Sequence, residues 1–159
     1  CDAPAPDVLT DPARPGYAST RIWVTDSTPA AMRGGIETTD TRRSLEPPSG
    51  GSLCRMVSFP PDDIFSRKVG EKQVRAYFEM MGSPAASTYS ARAPHPYMQK
   101  TSTLDICLVI EGEITLVLDT VEVSIRQGDT VIQRGTNHAW SNHTNSPCLM
   151  AISSHDAQR

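Results

Sequence analysis

The stretch from residue 103 to residue 153 allows few folds, because it reads as short strands without interruption. Leu104, Ile106, Leu108 and Ile110 alternate with Thr103, Asp105, Cys107 and Val109. This period of two places alternate side chains on opposite faces of a strand, one of which lines a cavity. Apolar runs follow at 114–118, 121–125 and 130–133, then a strand through Trp140 and a last one at 148–153. Gly112 and Gly128 punctuate them at positions where a turn needs φ > 0. Closely spaced strands with turn signals between them predict an all-β protein, an antiparallel barrel or jelly roll.

The N-terminal half is less regular. Residues 1–19, rich in Pro, Asp and Ala, are expected to form an arm, and residues 20–159 the barrel domain. Strands are expected at 21–25 and 53–59, the second stopped by Pro60 and Pro61. Between them, 26–52 carries enough Pro and Gly for a long loop. Val69, Val74, Tyr77, Phe78 and Met81 recur at three-to-four spacing, which predicts one helical insertion over 63–82, ended at Gly82. Packed outside the sheet it is scaffolding; placed over the barrel mouth it is a cover.

Composition removes some function classes. A chain of 159 residues supports one domain with a real core. A formal net charge of −3, and no basic cluster longer than Arg42–Arg43, argue against nucleic acid. No apolar stretch approaches the roughly 20 residues that span a bilayer. The spacing of Cys1, Cys54, Cys107 and Cys148 matches neither a zinc knuckle nor a redox pair, so reduced thiols in a cytoplasmic protein are expected, with one disulfide as the alternative.

The run GDTVIQRGTNHAWSN at 128–142 spaces Gly135, His138 and Asn142 as Gly-x-x-His-x-x-x-Asn. This resembles the second motif of the cupin superfamily of jelly-roll barrels, whose histidine points inward and usually binds a metal. The first motif of that family, His-x-His, then Glu, then Gly, aligns on Gln99, Thr101, Asp105 and Gly112. Of the family's four ligands only His138 remains. More closely, Met98, Thr101, Thr103, Leu104, Asp105, Gln133, Arg134, Thr136, Ala139 and Trp140 resemble a subgroup of small single-domain cupins from gene clusters for polyketide or aromatic secondary metabolites. That subgroup has His where Gln99 stands. The resemblance implies a tailoring role.

The residues themselves narrow the chemistry. One imidazole with an amide, a hydroxyl and a single carboxylate is a poor site for zinc or iron, so no metal or other cofactor is expected. His138 titrates near neutrality and is the candidate acid/base. Asp105 shares strand parity with Gln99 and Thr101 and is expected to raise the imidazole's proton affinity and fix its tautomer. Gln99, Thr101, Thr103, Trp140, Tyr97 and His95 are the candidate substrate contacts, although a loop histidine such as His95 is more often surface-exposed. Arg55 and Arg75 are candidates for binding an acidic substrate, although a lone arginine is more often a solvated charge. Asn142 is expected to hold a turn. The leading expectation is a metal-independent lyase or isomerase that dehydrates, decarboxylates or cyclises a small oxygenated substrate by proton transfer. The alternatives are a metal-dependent oxygenase and a non-catalytic binding module. A homodimer, common among such barrels, is the expected assembly.

Overall fold

In the computed structural model, residues 7–32 and 40–158 are described. Cys1, the start of the expected arm and the middle of the 26–52 loop lie outside them. Among the described residues, nine strands form two sheets. In chain order they are β1 Asp7–Thr10, β2 Ala18–Thr25, β3 Ser52–Phe59, β4 Thr103–Glu111, β5 Glu113–Leu118, β6 Glu122–Arg126, β7 Thr130–Arg134, β8 His138–Ser141 and β9 Cys148–Asp156. The larger sheet runs β1-β2-β3-β9-β4-β7 and the smaller β6-β5-β8. All pairings are antiparallel. This is the expected all-β, jelly-roll architecture. The β4–β5 turn passes through Gly112 at φ 85°, close against Pro147 and Cys148, so both its backbone angle and its space exclude a side chain.

The alternation of β4 resolves with its polar face inward. Thr103, Asp105, Cys107 and Val109 are buried, while Ile106 and Ile110 are exposed. Register then builds a polar row inside the large sheet. Asp105 lies beside Ser154 on β9 and Gln133 on β7. One row along, Arg55 on β3 faces Ile152, and Ile152 faces Cys107. Cys107 and Cys148 are buried thiols in strands, and among the described residues Cys54, Cys107 and Cys148 are free.

The helix is shorter than the sequence predicts. α1 covers Glu71–Met80, and single 3-10 turns occupy Asp62–Ile64 and Ser66–Lys68. Gly70 is extended and starts the helix, its N–H donating to Gln73 Oε1 at 3.1 Å. Asp62 cannot join a regular helix because its carboxylate accepts from Ser141 Oγ and, at 3.2 Å, from the Asn142 N–H. The buried face of α1 carries Val74, Tyr77 and Phe78. These join Tyr17, Phe59, Phe65, Tyr97 and Trp140 in one aromatic-rich core.

The segment after β1 is no loose lead-in. Asp11 Oδ1 accepts from the Ala13 N–H at 2.9 Å, and its Oδ2 accepts from Arg14 Nε at 3.0 Å. This turn delivers the Arg14 guanidinium onto three tyrosine rings. Its central carbon lies 3.7 Å from the Tyr97 centroid, 3.9 Å from Tyr17 and 4.3 Å from Tyr77.

Candidate functional site

His138 opens β8, facing Leu118 on β5, and exchanges two backbone hydrogen bonds with Gln99. That bridge places the two side chains on one side. His138 is 2% exposed. Its Nδ1 lies 3.0 Å from the Thr136 carbonyl oxygen, which can only accept. Nδ1 therefore carries the proton, and Nε2 accepts from the Gln99 amide at 3.3 Å. The ring is the neutral tautomer with both nitrogens engaged. Burial pushes its proton affinity below the ordinary histidine value, outweighing the Thr136 carbonyl and the Asp105 charge, which push it up.

Asp105 pushes the proton affinity of His138 up as expected, but it is outweighed, and the expectation about the tautomer is corrected. The net effect on His138 is a lowered pKa, because desolvation exceeds the attraction of Asp105. The tautomer is set by the Thr136 carbonyl, not by Asp105, which makes no hydrogen bond to the ring. Asp105 is buried, and its Oδ1 has no hydrogen-bond partner. Its row neighbours Gln133 and Ser154 each leave one polar atom, Nε2 and Oγ, equally unpartnered. Gln99 donates to His138 before it can orient anything else.

The remaining candidates divide. Trp140 shares the side of His138, its ring edge-on at 5.8 Å. Thr101 and Thr103 are buried and pair with each other at 2.7 Å, not with His138. Tyr97 is buried and donates its hydroxyl to Asp11 at 3.0 Å. His95, expected on a solvated loop, is 4% exposed. Its Nδ1 accepts from the Tyr97 N–H at 3.2 Å, which leaves Nε2–H facing Asp62 at 3.4 Å. Burial alone would raise the Asp62 carboxyl, but the nearby His95 ring and the hydrogen bond from Ser141 hold it below the ordinary range. Asn142 fills its predicted role. Its amide donates to the Phe59 and Ser146 carbonyls at 3.0 and 2.8 Å, and its oxygen accepts from Thr144.

A cavity of about 30 Å³ lies inside the barrel, with Gln99, Tyr97, Trp140, Phe59, Arg14 and Arg55 among its walls. His138 does not line it; Gln99 stands between. Arg55, expected mainly as a solvated charge, is instead part of the cavity wall. It is 8% exposed, not solvated. The signal was present in β3, where Leu53, Arg55, Val57 and Phe59 share a parity. An arginine on the apolar parity of a strand faces inward.

The metal role implied by the resemblance does not fit these donors. Both ring nitrogens of His138 are engaged, and the Gln99 amide points an N–H where an ion would need a lone pair. Among the described residues, no three His, Cys, Asp or Glu side chains stand close enough to hold one. Nor is any helix long and apolar enough to cross a membrane.

No family model matches the sequence. The cupin-domain-containing oxidoreductase virC of Hypocrea virens is 33% identical over 132 residues, 80% of this chain and 52% of that protein. Phomopsin biosynthesis cluster protein D of Diaporthe leptostromiformis is 46% identical over 50 residues, 31% of this chain and 26% of that one. Oryzines biosynthesis cluster protein J of Aspergillus oryzae is 38% identical over 58 residues, 36% and 32% of the two chains. This chain therefore spans about half the length of virC, and less of the others. Among solved structures, a cupin 2 conserved barrel domain protein from Salinispora arenicola superposes with a TM-score of 0.45 at 14% identity, over 89% of this chain and 76% of that one. The motif spacing of Gly135, His138 and Asn142 thus falls at the edge of a two-sheet barrel, in a sequence whose relatives carry cupin domains and come from fungal biosynthesis clusters: the chain belongs to the cupin superfamily.

Proposed function

We propose that this cupin is a small-molecule tailoring enzyme of secondary metabolism that works by proton transfer, as a lyase or isomerase. One observation carries the reading: a buried imidazole held neutral, with its basic nitrogen turned toward the Gln99 amide at the cavity wall. Low proton affinity keeps His138 in its base form at neutral pH. The Thr136 carbonyl holds the reactive tautomer. A substrate oxygen or acidic C–H that displaces the Gln99 amide meets Nε2. The imidazolium that forms is stabilised by the Asp105 charge, the same attraction that raises proton affinity in the resting site. Trp140 and Tyr97 supply flat aromatic walls beside Gln99. Neither a nucleophile nor a redox group lines the cavity, and the donors around His138 do not suit a metal. The oxidoreductase designation belongs to a relative of which this chain matches 52%.

A second reading is binding without turnover, favoured by the Gln99 side chain covering His138. One experiment separates the two. The purified protein is incubated in D2O with a panel of cyclic hydroxy-ketones and keto acids, and mass spectrometry reads deuterium uptake or loss of water or CO2. Proton transfer predicts turnover of a panel member by the wild type and its loss in His138→Gln. Ligand binding with no exchange in the wild type would leave the binding module standing.

A further inference from the structure

The barrel cavity holds two guanidinium groups and one carboxylate-bearing turn. Arg14 has Asp11 at 3.0 Å. Arg55 has neither an ion pair nor a hydrogen bond among the described residues, and its Nε is buried and unpartnered. Arg14 Nη2 is unpartnered as well. A guanidinium cannot shed its charge, so burial without a partner is a standing cost that neutralisation cannot relieve. Arg55 is therefore a cation on the cavity wall without an ion pair among the described residues, and the unpartnered carboxylate of Asp105 lies one row along the sheet. The cavity, about 30 Å³, has room for roughly two water-sized atoms, the size of the two oxygens of a carboxylate. A planar guanidinium fork matches a carboxylate with two parallel hydrogen bonds. Tyr17, Tyr97 and Trp140 form the apolar part of the same wall.

We propose that Arg55 is the anchor of a carboxylate-bearing ligand, with Arg14 Nη2 as a second donor. This rests on the reading of the barrel as a small-molecule site and names the substrate class: a small organic acid whose carboxylate seats on Arg55. The anchor lies beside Gln99, so the carboxylate fixes the rest of the molecule near the covered imidazole.

The test uses acetate as the carboxylate probe and acetamide as its neutral match, at constant ionic strength, with thermal unfolding as the readout. Acetate raises the wild-type Tm in a concentration-dependent way and acetamide does not. Arg55→Met removes a buried charge that has no protein partner. Its Tm without ligand is therefore higher than the wild type's by at least about 2 °C, and its acetate response is lost. A lower Tm for Arg55→Met, or failure to fold, would make Arg55 structural and overturn the proposal. So would an equal acetate response in the two proteins, which marks binding elsewhere. Saturation-transfer NMR on the wild type is the independent check: acetate that receives no transfer from the aromatic protons does not occupy the cavity. Carboxylate binding without deuterium exchange would sink the proton-transfer reading alone. Turnover of neutral panel members unaffected by Arg55→Met would sink this one alone.

Discussion

Removing the Arg14 charge tests how the turn after β1 is held to the barrel. Arg14→Met keeps the length of the side chain and much of its packing but deletes the cation. Three ring contacts between 3.7 and 4.3 Å are lost. Desolvated cation–π contacts are worth up to about 2 kcal/mol each. Asp11 is left buried with two donors, the Tyr97 hydroxyl and the Ala13 N–H. Breaking a buried pair in this way costs about 3–5 kcal/mol. These losses overlap, so the variant should lose about 4 kcal/mol, a Tm drop of about 8–16 °C in a chain this size. Asp11→Asn should cost less, because the rings still face the cation. In the double variant the two losses should fall short of their sum by about 2 kcal/mol or more, the signature of a coupled pair. Urea unfolding followed by circular dichroism measures all three. A loss below about 1 kcal/mol for Arg14→Met, or additivity within about 0.5 kcal/mol, refutes the cage as a source of stability.

Stability should fall with acidification in two windows. The unfolded chain takes up a proton at His138 near the ordinary value of 6.5, while the folded ring resists it, so stability declines as pH drops below that value toward the folded one. Urea midpoints from about pH 8 to about pH 5 should show this slope, reduced in His138→Gln. Asp62 adds stability above its unfolded value of 3.8 that disappears as pH falls through its lower folded value, and Asp62→Asn should remove that acid step. Gly82→Ala should cost more than about 2 kcal/mol by chemical denaturation, since the helix ends there at φ 69° and a methyl group would meet the Arg43 carbonyl. Burial pushes the Cys107 thiol up to about 12 and that of Cys148 to about 11. Peptide mass spectrometry after iodoacetamide treatment at about pH 8 should find Cys54 modified and those two intact until the protein is unfolded.

The barrel was legible because its signals are local. Strand alternation, turn glycines at Gly112 and Gly128, and the motif ending in Asn142 each depend on neighbours within a few residues. Helix limits were less so. Asp62 is drawn away by Ser141 and Asn142, about 80 residues later, and periodicity cannot register that pull. The candidate site was half legible. Parity put Gln99, Thr101 and Asp105 inside, but the partners of each followed from register between distant strands.

From its sequence alone this protein was determined to be a small antiparallel barrel with one inward histidine and without its family's metal-holding companions. Tertiary structure decided what the interior does with charge. Arg14 becomes a caged cation because an N-terminal turn lands on rings from α1 and from Tyr97. Arg55 becomes a buried charge without a partner because β3 joins β9 on the inside of the large sheet. His138 becomes a weak base because burial outweighs Asp105. Burial is a property of everything packed around a group, and the chain assembles those surroundings from segments tens of residues apart.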